Sequence, residues 1–450
     1  MLEQQNNTWQ LSWASAQHII ALDSDGHSYS YAQWYQAVQQ CYQHIQQQDG
    51  DTVLLYQPDG LQFSIWLIAL ALAGKHIVLS ADGQPATLAL AASHCDWQAN
   101  RHFNCPTDAA AIIAPAQLQL HLSMQCYVSF FTSGSSGTPK LIGKTLSQLL
   151  REVQTLQQQF SPQLQSATLV AGTVSGQHIY GLLFRLLWPL CANRPFYCQQ
   201  LSYLEQWQAL LRSHSVIFIA SPAHLARFDD IARLAENAAA IGAIFSSGGP
   251  LSDEVPARYV QALGQAPIEV FGSTETGGIG FRQRQHSQDP WCAFAGIQLD
   301  TDERGALVLQ SPHLPDQTPY QTEDKVQLLP AQRFMLQGRL DRIVKLEEKR
   351  LSLPELEQFC QQSEWVNAAA ALILTQPKVQ LAMVVALSDA GLSVLQTQGK
   401  LALNQLLKQH LLQRFERVLL PKRFRYLTAL PYNAQGKLPR AQLEALFHHD

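Results

Sequence analysis

The sequence lacks a surplus of charge, and above all a surplus of basic residues. Only 15% of its 450 residues are charged, and the formal net charge is −4 at pH 7. Proteins that bind nucleic acid broadly carry a basic footprint, so this composition argues against that class. The hydrophobic fraction of 46% indicates a globular protein, and the length indicates more than one domain.

Long hydrophobic runs and paired cysteines are also missing. The longest apolar run, 65–74, is too short to cross a bilayer and predicts a buried helix. The polar segment 1–7 is not typical of a signal peptide. Eight cysteines are scattered without a Cys-x-x-Cys pair, which fits reduced thiols and offers no metal site. We therefore expect a cytoplasmic protein without a membrane span.

Short apolar runs typical of buried strands alternate with helical segments along the chain. Between 299 and 309 the pattern changes to one that is typical of short strands and turns. The alternation predicts an α/β fold of mostly parallel sheets flanked by helices, with a β-subdomain. The predicted strands are 50–56, 76–79, 127–131, 167–171, 216–220, 243–249 and 268–271, and the predicted helices include 63–73 and 145–158.

The segment 132–140, Thr-Ser-Gly-Ser-Ser-Gly-Thr-Pro-Lys, is the most informative one in the chain. Its two glycines let the backbone approach an anion closely, while the hydroxyls and the lysine supply donors and positive charge. It therefore predicts a phosphate-binding loop, although a solvated Ser/Gly turn has the same composition. The side chains that would contact phosphate are Thr132, Ser133, Ser135, Ser136, Thr138 and Lys140.

A P-loop is a rival interpretation, because Gly143, Lys144 and Thr145 resemble the end of that motif. Five residues separate Gly137 from Gly143, whereas the P-loop has four. Pro139 also removes one backbone donor that a phosphate cradle uses. We therefore rank a P-loop NTPase that uses Lys144 below a different nucleotide loop.

Later stretches carry further candidates. In 271–278, Phe-Gly-Ser-Thr-Glu-Thr-Gly-Gly, Phe271 ends a predicted strand with a ring that can stack on a base. Thr274 offers a hydroxyl to a phosphate, and Glu275 offers a hard oxygen ligand to Mg²⁺, although Thr-Glu after a glycine can also begin a helix. The turn-rich loop 430–440 carries Lys437, at a kind of position where most lysines are solvated.

Together and in this order, the motifs resemble those of the adenylate-forming superfamily of acyl- and aryl-CoA synthetases, peptide-synthetase adenylation domains and luciferases. The resemblance covers nearly the whole chain, with the aryl and acyl acid ligases as the nearest group. The segments that carry it are 132–140 (phosphate loop), 177–181 (His/aromatic segment), 246–251 (glycine turn), 271–275 (aromatic-Gly-x-Thr-Glu), 320–324 (ribose aspartate), 338–341 (arginine and hinge) and 436–437 (catalytic lysine).

The resemblance implies an ATP-dependent ligase. A carboxylate attacks the α-phosphate to give an acyl-adenylate and pyrophosphate, and a thiol then displaces AMP, so catalysis rests on positioning and charge stabilisation. Lys437 would bridge the carboxylate and the α-phosphate, Thr274 would contact the α-phosphate, and Glu275 would bind Mg²⁺. The other implied ATP and AMP contacts are the loop residues above with Gly248, Gly249, Phe271, Gly272, Asp324 and Arg339, and the implied acyl pocket consists of His178, Tyr180, Gly181 and Ser247.

The resemblance also implies a division into a core domain at 1–338, a hinge at 339–341 and a small mobile α+β lid at 342–450. The lid would rotate about Asp341 between the two half-reactions. One face would present Lys437 for adenylation. The other would present a thiol tunnel with Lys345, Glu348 and Arg350 for thioester formation.

Two departures from the family pattern affect the choice of substrates. Glu348 stands where the family has a glycine beside the pantetheine arm, and Glu323 replaces a glycine beside Asp324. Glu348 favours the thiol of an acyl carrier protein over CoA as acceptor. His178, at a position that gates the acyl pocket, and the lack of a clear acidic partner for an α-amino group favour an aryl acid, with a fatty acid next.

Two other classes of function stay open at this stage. One is a nucleotide-binding protein that has lost catalysis, against which the presence of both Glu275 and Lys437 argues. The other is the P-loop-like NTPase that uses Lys144. The expected partners are a small carboxylic acid and a carrier protein, and the chain is expected to be a monomer or a homodimer.

Overall fold

The computed structural model describes residues 2–5, 8–80, 82–105, 119–123, 126–133, 139–164, 169–286, 288–316, 318–346, 349–375, 379–433 and 438–448. The strands are β1 Leu2–Gln5, β2 Thr8–Ser12, β3 Ile19–Leu22, β4 Ser28–Ser30, β5 Thr52–Leu55, β6 His76–Leu79, β7 Trp97–Ala99, β8 Gln119–Ser123, β9 Tyr127–Ser133, β10 Pro139–Thr145, β11 Leu169–Gly172, β12 Phe196–Tyr197, β13 Val216–Ala220, β14 Ile241–Ser246, β15 Ile268–Ser273, β16 Gly277–Gln283, β17 Trp291–Ala293, β18 Gln298–Thr301, β19 Ala306–Gln310, β20 Tyr320–Leu329, β21 Arg333–Arg339, β22 Ile343–Leu346, β23 Lys349–Ser352, β24 Val366–Leu374, β25 Gln380–Leu387 and β26 Arg423–Leu427.

The helices are α1 Tyr31–Ile45, α2 Gly60–Leu72, α3 Pro85–Ala92, α4 Leu146–Phe160, α5 Ile179–Gly181, α6 Trp188–Cys191, α7 Leu204–Leu211, α8 Pro222–Arg227, α9 Glu254–Leu263, α10 Leu353–Gln361, α11 Asp389–Leu411 and α12 Arg440–Ala445. A π-helical turn, Leu182–Leu187, joins α5 to α6. The predicted buried helix is confirmed, because α2 is buried on nearly all sides. The predicted helix at 145–158 is α4, whose N-cap Thr145 forms a capping box with Gln148.

A five-stranded sheet, in the order β10-β9-β6-β5-β7, organises the first part of the chain. β7, β5, β6 and β9 run parallel, and β10 returns antiparallel beside β9. The predicted phosphate loop, 132–140, includes the last two residues of β9 and the first two residues of β10. The loop therefore connects two neighbouring strands of one sheet.

A second, larger sheet contains the strands that carry the remaining core motifs. Its order is β18-β19-β20-β21-β17-β16-β15-β14-β13-β11-β12-β3-β4. The middle of this sheet, from β15 to β3, is parallel, and the flanks are antiparallel. The antiparallel flank from β16 to β21 corresponds to the predicted β-subdomain, including the short strands expected between 299 and 309.

The C-terminal part has its own sheets and its own hydrophobic core. β22 and β23 form a hairpin, and β24, β25 and β26 form a sheet against which α10 and α11 pack. Among the described residues, the members of its two core clusters lie between 344 and 447, whereas the clusters of the preceding part end at 336. The predicted α/β architecture with a large N-terminal and a small C-terminal domain is confirmed.

Candidate active site

Two parallel neighbours in the large sheet, β14 and β15, end at the same edge. β14 leads into the predicted glycine turn, where Gly248 has a φ of +93° that side-chain-bearing residues rarely adopt. Ser247 stabilises this turn because its hydroxyl donates to the carbonyl oxygen of Val270 at 2.8 Å. The glycine turn, including Gly249, is thus attached to the strand that carries Phe271.

A tight turn follows β15 and carries Thr274 and Glu275. A Cβ at Gly272 would lie 2.3 Å from the carbonyl oxygen of Gly277, so only glycine fits there. Ser273 and Thr276 bracket the turn with reciprocal bonds between backbone amides and hydroxyls of 3.1 and 3.2 Å. Both Thr274 and Glu275 remain partly exposed. The alternative that Thr-Glu begins a helix is wrong, because the turn leads directly into β16.

Asp324 and Arg339 are cross-strand neighbours in β20 and β21. The guanidinium of Arg339 donates to the Asp324 carboxylate at 3.2 Å. Nearby, burial raises the pKa of Tyr320, with a further increase from the charge of Glu275 and a decrease from Arg339. Tyr320 therefore lies close enough to both charged groups to sense them. Arg339 of the predicted ribose-binding pair and the predicted Mg²⁺ ligand Glu275 thus both influence the pKa of Tyr320.

Phe271 is half-buried in an aromatic cluster. Its ring centroid lies 5.6 Å from that of Trp291 and 5.8 Å from that of Phe334. These contacts fix the ring at the end of β15, close to the glycine turn. A ring that is fixed and partly exposed can stack on a planar ligand.

The predicted acyl-pocket residues lie around α5. The hydroxyl of Tyr180 donates to the carbonyl oxygen of Ala220 at 3.3 Å, and burial raises the pKa of Tyr180 well above its usual value. Ala220 ends β13 opposite Ser246 in the neighbouring strand, so Tyr180 and the glycine turn lie at the same edge. Gly181 leaves room for the backbone, since a Cβ there would lie 2.0 Å from the carbonyl oxygen of Ser175. His178 caps the N-terminus of α5.

Ser246 is a candidate that the motif comparison did not single out. Its side chain is 2% exposed, and its hydroxyl has no hydrogen-bond partner among the described residues. A buried polar group without a partner is costly. Its position as the first residue of the predicted glycine turn, 246–251, is the sequence signal that points to it.

Several predicted site residues lie wholly or partly outside the described part of the chain. Ser135, Ser136, Thr138, Glu348 and Lys437 lie outside it altogether. Thr132, Ser133 and Lys140 are described in their backbone alone, and Thr132 pairs with Lys140 across β9 and β10. Likewise, Lys345 pairs with Arg350 in the hairpin of β22 and β23, and Asp341 lies in the short 3₁₀ turn Leu340–Arg342. Their roles stay predictions.

The environment of Lys144 argues against the P-loop interpretation. The residue lies in β10 and is 3% exposed. Its ammonium donates to the backbone carbonyl oxygens of Glu275 at 2.7 Å and His313 at 3.2 Å. A P-loop lysine must face the phosphates from a loop before a helix, whereas this one is buried among protein acceptors.

Comparisons with known proteins agree with this geometry. Residues 75–297 match the family of AMP-binding enzymes. A 4-coumarate–CoA ligase of Rhodobacter capsulatus is 25% identical over 310 residues, which are 68% of this chain and 73% of that protein. A D-alanine–D-alanyl carrier protein ligase of Staphylococcus epidermidis is 30% identical over 124 residues, 28% of this chain and 24% of that protein. ATP-bound MatB from Rhodopseudomonas palustris has a similar fold, with a TM-score of 0.75 at 15% identity over 97% of both chains.

The match to AMP-binding enzymes and the similarity to a CoA ligase therefore support an ATP-dependent adenylating enzyme of the ligase type. The predicted resemblance is confirmed to this extent: residues 75–297 match AMP-binding enzymes, and the chain is similar to a 4-coumarate–CoA ligase. All eight cysteines are unpaired. In the described part of the chain, no helix combines the length and the apolar character that crossing a membrane requires.

Proposed function

We propose that this enzyme adenylates an aryl carboxylic acid and transfers the acyl group to a phosphopantetheine thiol. The observation that carries the proposal is the convergence of Tyr180, the glycine turn and the turn with Glu275 at one edge of the large sheet, which also contains the Asp324–Arg339 pair in β20 and β21. Ligands of open α/β sheets bind at the carboxyl ends of the strands. A carboxylate and a triphosphate bound there would lie next to each other.

Each group has a proposed role that follows from its chemistry. Asp324 accepts hydrogen bonds from the ribose hydroxyls with Arg339 beside it, and Phe271 packs against adenine. Thr274 donates to the α-phosphate, and Lys437 neutralises the charge that builds up where the carboxylate attacks. The loop at 132–140 holds the β- and γ-phosphates.

Glu275 is suited to hold Mg²⁺. Its side chain is partly exposed, and none of the described residues forms an ion pair with its carboxylate. A free carboxylate is the kind of ligand that Mg²⁺ takes, usually with waters and substrate phosphates. A bound Mg²⁺ would lower the repulsion between the phosphates and the incoming carboxylate.

The proposed acceptor is a carrier-protein thiol, with CoA next. Glu348, which stands where the family has a glycine, supports this preference, because a charged side chain at that position hinders close approach of the pantetheine arm. The match to a carrier protein ligase supports it as well, although it covers about a quarter of that relative. The 4-coumarate–CoA ligase match supports an aryl acid and keeps CoA open.

We also propose the boundary at 339–341 with the lid at 342–450. The separation of the core clusters at 336 and 344 supports this division. The 3₁₀ turn that contains Asp341 is a short connection that can absorb a change in φ and ψ.

A panel of carboxylic acids tests the proposal through release of pyrophosphate from ATP. We expect release that depends on an aryl acid, followed by thioester formation with a holo carrier protein more efficiently than with CoA. Hydrolysis of ATP without any acid would support the NTPase alternative. Binding of ATP without pyrophosphate release from any acid would indicate a protein that has lost catalysis.

A further inference from the structure

A charged layer lies beneath the turn that carries Thr274 and Glu275. Lys144 lies at its centre, and its ammonium hydrogen bonds go to the two backbone carbonyls of Glu275 and His313. Burying an ammonium is costly unless its donors are satisfied. Burial accordingly lowers the pKa of Lys144, while the charges of Glu152 and Glu275 raise it. Because the Lys144 ammonium is buried and bonded to these two carbonyls, it fixes the position of the backbone at Glu275 and His313.

Helix α4 supplies the second contact to the same turn. The Glu152 carboxylate is 5% exposed and accepts from the amide of Gly278 at 2.6 Å. Gly277 has a φ of +69°, and a Cβ there would lie 2.6 Å from the Glu152 carboxylate. The turn therefore rests directly on α4, and glycine is required at that contact for two independent reasons.

His313 links the two contacts. Its Nδ1 faces the carbonyl oxygen of Gly278 at 3.0 Å and must donate there, while Nε2 lies 3.0 Å from the hydroxyl of Thr155. Burial lowers the pKa of His313 and favours the neutral ring, so Nε2 accepts. The His313 carbonyl oxygen also accepts from Gln148 at 3.0 Å. Hydrogen bonds thus join Lys144, Glu152 and His313 to the same turn, and such networks hold one geometry.

We propose that Lys144 is a positioning residue for adenylation, which holds the backbone of Glu275 so that the Glu275 carboxylate stands in a fixed place relative to the nucleotide. The proposal rests on the proposed function of the same site. Lys144 acts from the protein side of the turn and never contacts the substrate. Its effect on the reaction is therefore carried by Glu275.

The action of Lys144 through Glu275 can be distinguished from a purely structural role by combining variants of the two residues. If Lys144 acts through the Glu275 side chain, Lys144→Met and Glu275→Ala should not act independently. Each single variant is expected to lower kcat for acid-dependent pyrophosphate release about 10- to 100-fold, because misplacement by about 1 Å can cost ~10²-fold. Each should also raise the Mg²⁺ concentration needed for half-maximal rate. The double variant is expected to match Glu275→Ala, and independent multiplication of the two effects would overturn the proposal.

Hydrogen–deuterium exchange of the ligand-free protein gives a readout that does not depend on activity. Amides 273–278 should exchange faster in Lys144→Met than in the wild type. Val255→Ala, which removes buried methyl groups in α9 within a different core cluster, is the control for general destabilisation and should leave exchange at 273–278 unchanged. Unchanged exchange in Lys144→Met would contradict the proposal.

Two further cases are covered by the design, namely a variant that does not fold and a wild type that releases no pyrophosphate. If Lys144→Met does not fold, the cycle is run with Lys144→Arg, which keeps the charge but moves the donors, and the same non-additivity is expected. If the wild type releases no pyrophosphate with any acid, the proposed function fails. The exchange experiment then still decides whether Lys144 holds the turn.

Discussion

Individual charged residues in the site differ in burial, and their burial matches what each one can do. Lys144 is buried and satisfied by backbone carbonyls, so it contributes order. The Arg339 and Asp324 side chains are 47% and 18% exposed, and ion pairs with so much solvent access stabilise a fold little. That pair can accordingly rearrange around a ligand at low cost. Glu275, partly exposed, is available to a cation.

The first prediction concerns the charge of Glu275. Glu275→Gln keeps the size of the side chain but removes the charge that attracts a hard cation. Acid-dependent pyrophosphate release should fall about 10-fold or more, and excess Mg²⁺ should restore part of it. A Mg²⁺ titration at saturating ATP measures both effects. An unchanged rate and Mg²⁺ requirement would remove Glu275 from the site.

A second residue-scale prediction concerns His224 and acid stability. Burial, with a smaller effect of Arg227, lowers the pKa of His224 from 6.5 to about 4. As the pH falls below 6.5, the unfolded chain takes up a proton that the folded protein excludes until about pH 4. The free energy of unfolding therefore decreases across this window because of His224, and the loss is complete below about pH 4.

His224→Gln should remove that contribution. The drop in Tm between pH 7.5 and pH 5 is expected to be smaller in the variant than in the wild type, as measured by thermal unfolding. His286→Gln, which changes a histidine whose side chain is 82% exposed, serves as the control and should retain the wild-type drop. Equal drops in His224→Gln and the wild type would show that burial of this ring does not govern acid stability.

The sequence is informative about the residues proposed to contact nucleotide and uninformative about the residues that support them. Short motifs predict the proposed roles of Glu275, Asp324 and Arg339, because ligand contacts require particular side chains at fixed spacing. For Lys144 the local sequence suggests a phosphate-binding role, because the residues beside it resemble the end of a P-loop, whereas the structure shows a buried lysine bonded to the backbone. Its partners are carbonyl oxygens 131 and 169 positions away in sequence, and no local pattern reports such contacts.

At the scale of elements, the site depends on turns at the ends of parallel strands. Apolar runs that end in glycine-rich segments predict these strands and turns. Every core strand expected from the runs is present. Which strands are neighbours did not follow, because pairing of β14 with β15 depends on packing across the whole sheet. The sequence pattern also does not predict the π-helical turn between α5 and α6.

The third prediction tests the turn after β15 as an element. In Gly272→Ala the new methyl group would meet the Gly277 carbonyl 2.3 Å away, so the backbone must shift. We expect a loss of about 1–3 kcal/mol in the free energy of unfolding and adenylation lowered by ~10²-fold. Gly143→Ala is the matched control, because its Cβ would meet only Ser129 at 3.5 Å. Wild-type activity in Gly272→Ala would contradict the tight turn.

On the scale of the whole molecule, the chain consists of two packed bodies with separate cores. The described members of the C-terminal clusters begin at 344, and β22 to β26 pair only with one another in the described part. Few contacts across a boundary are typical of domains that move relative to each other. The motif order predicts a similar division, because the proposed hinge at 339–341 precedes the part of the chain that carries Lys437.

The last prediction concerns Lys437 and follows from this two-body organisation. Losing one preorganised charge-stabilising donor typically costs ~10²–10³ in rate, so Lys437→Ala should cripple formation of the acyl-adenylate from acid and ATP. The same variant, given preformed acyl-adenylate and the thiol, should form thioester at close to the wild-type rate, because a rotated lid has turned Lys437 away. Arg339→Ala provides the contrast, since ribose contacts persist in both states and both half-reactions should weaken. Equal losses of both half-reactions in Lys437→Ala would mean that the lid does not exchange its faces between the steps.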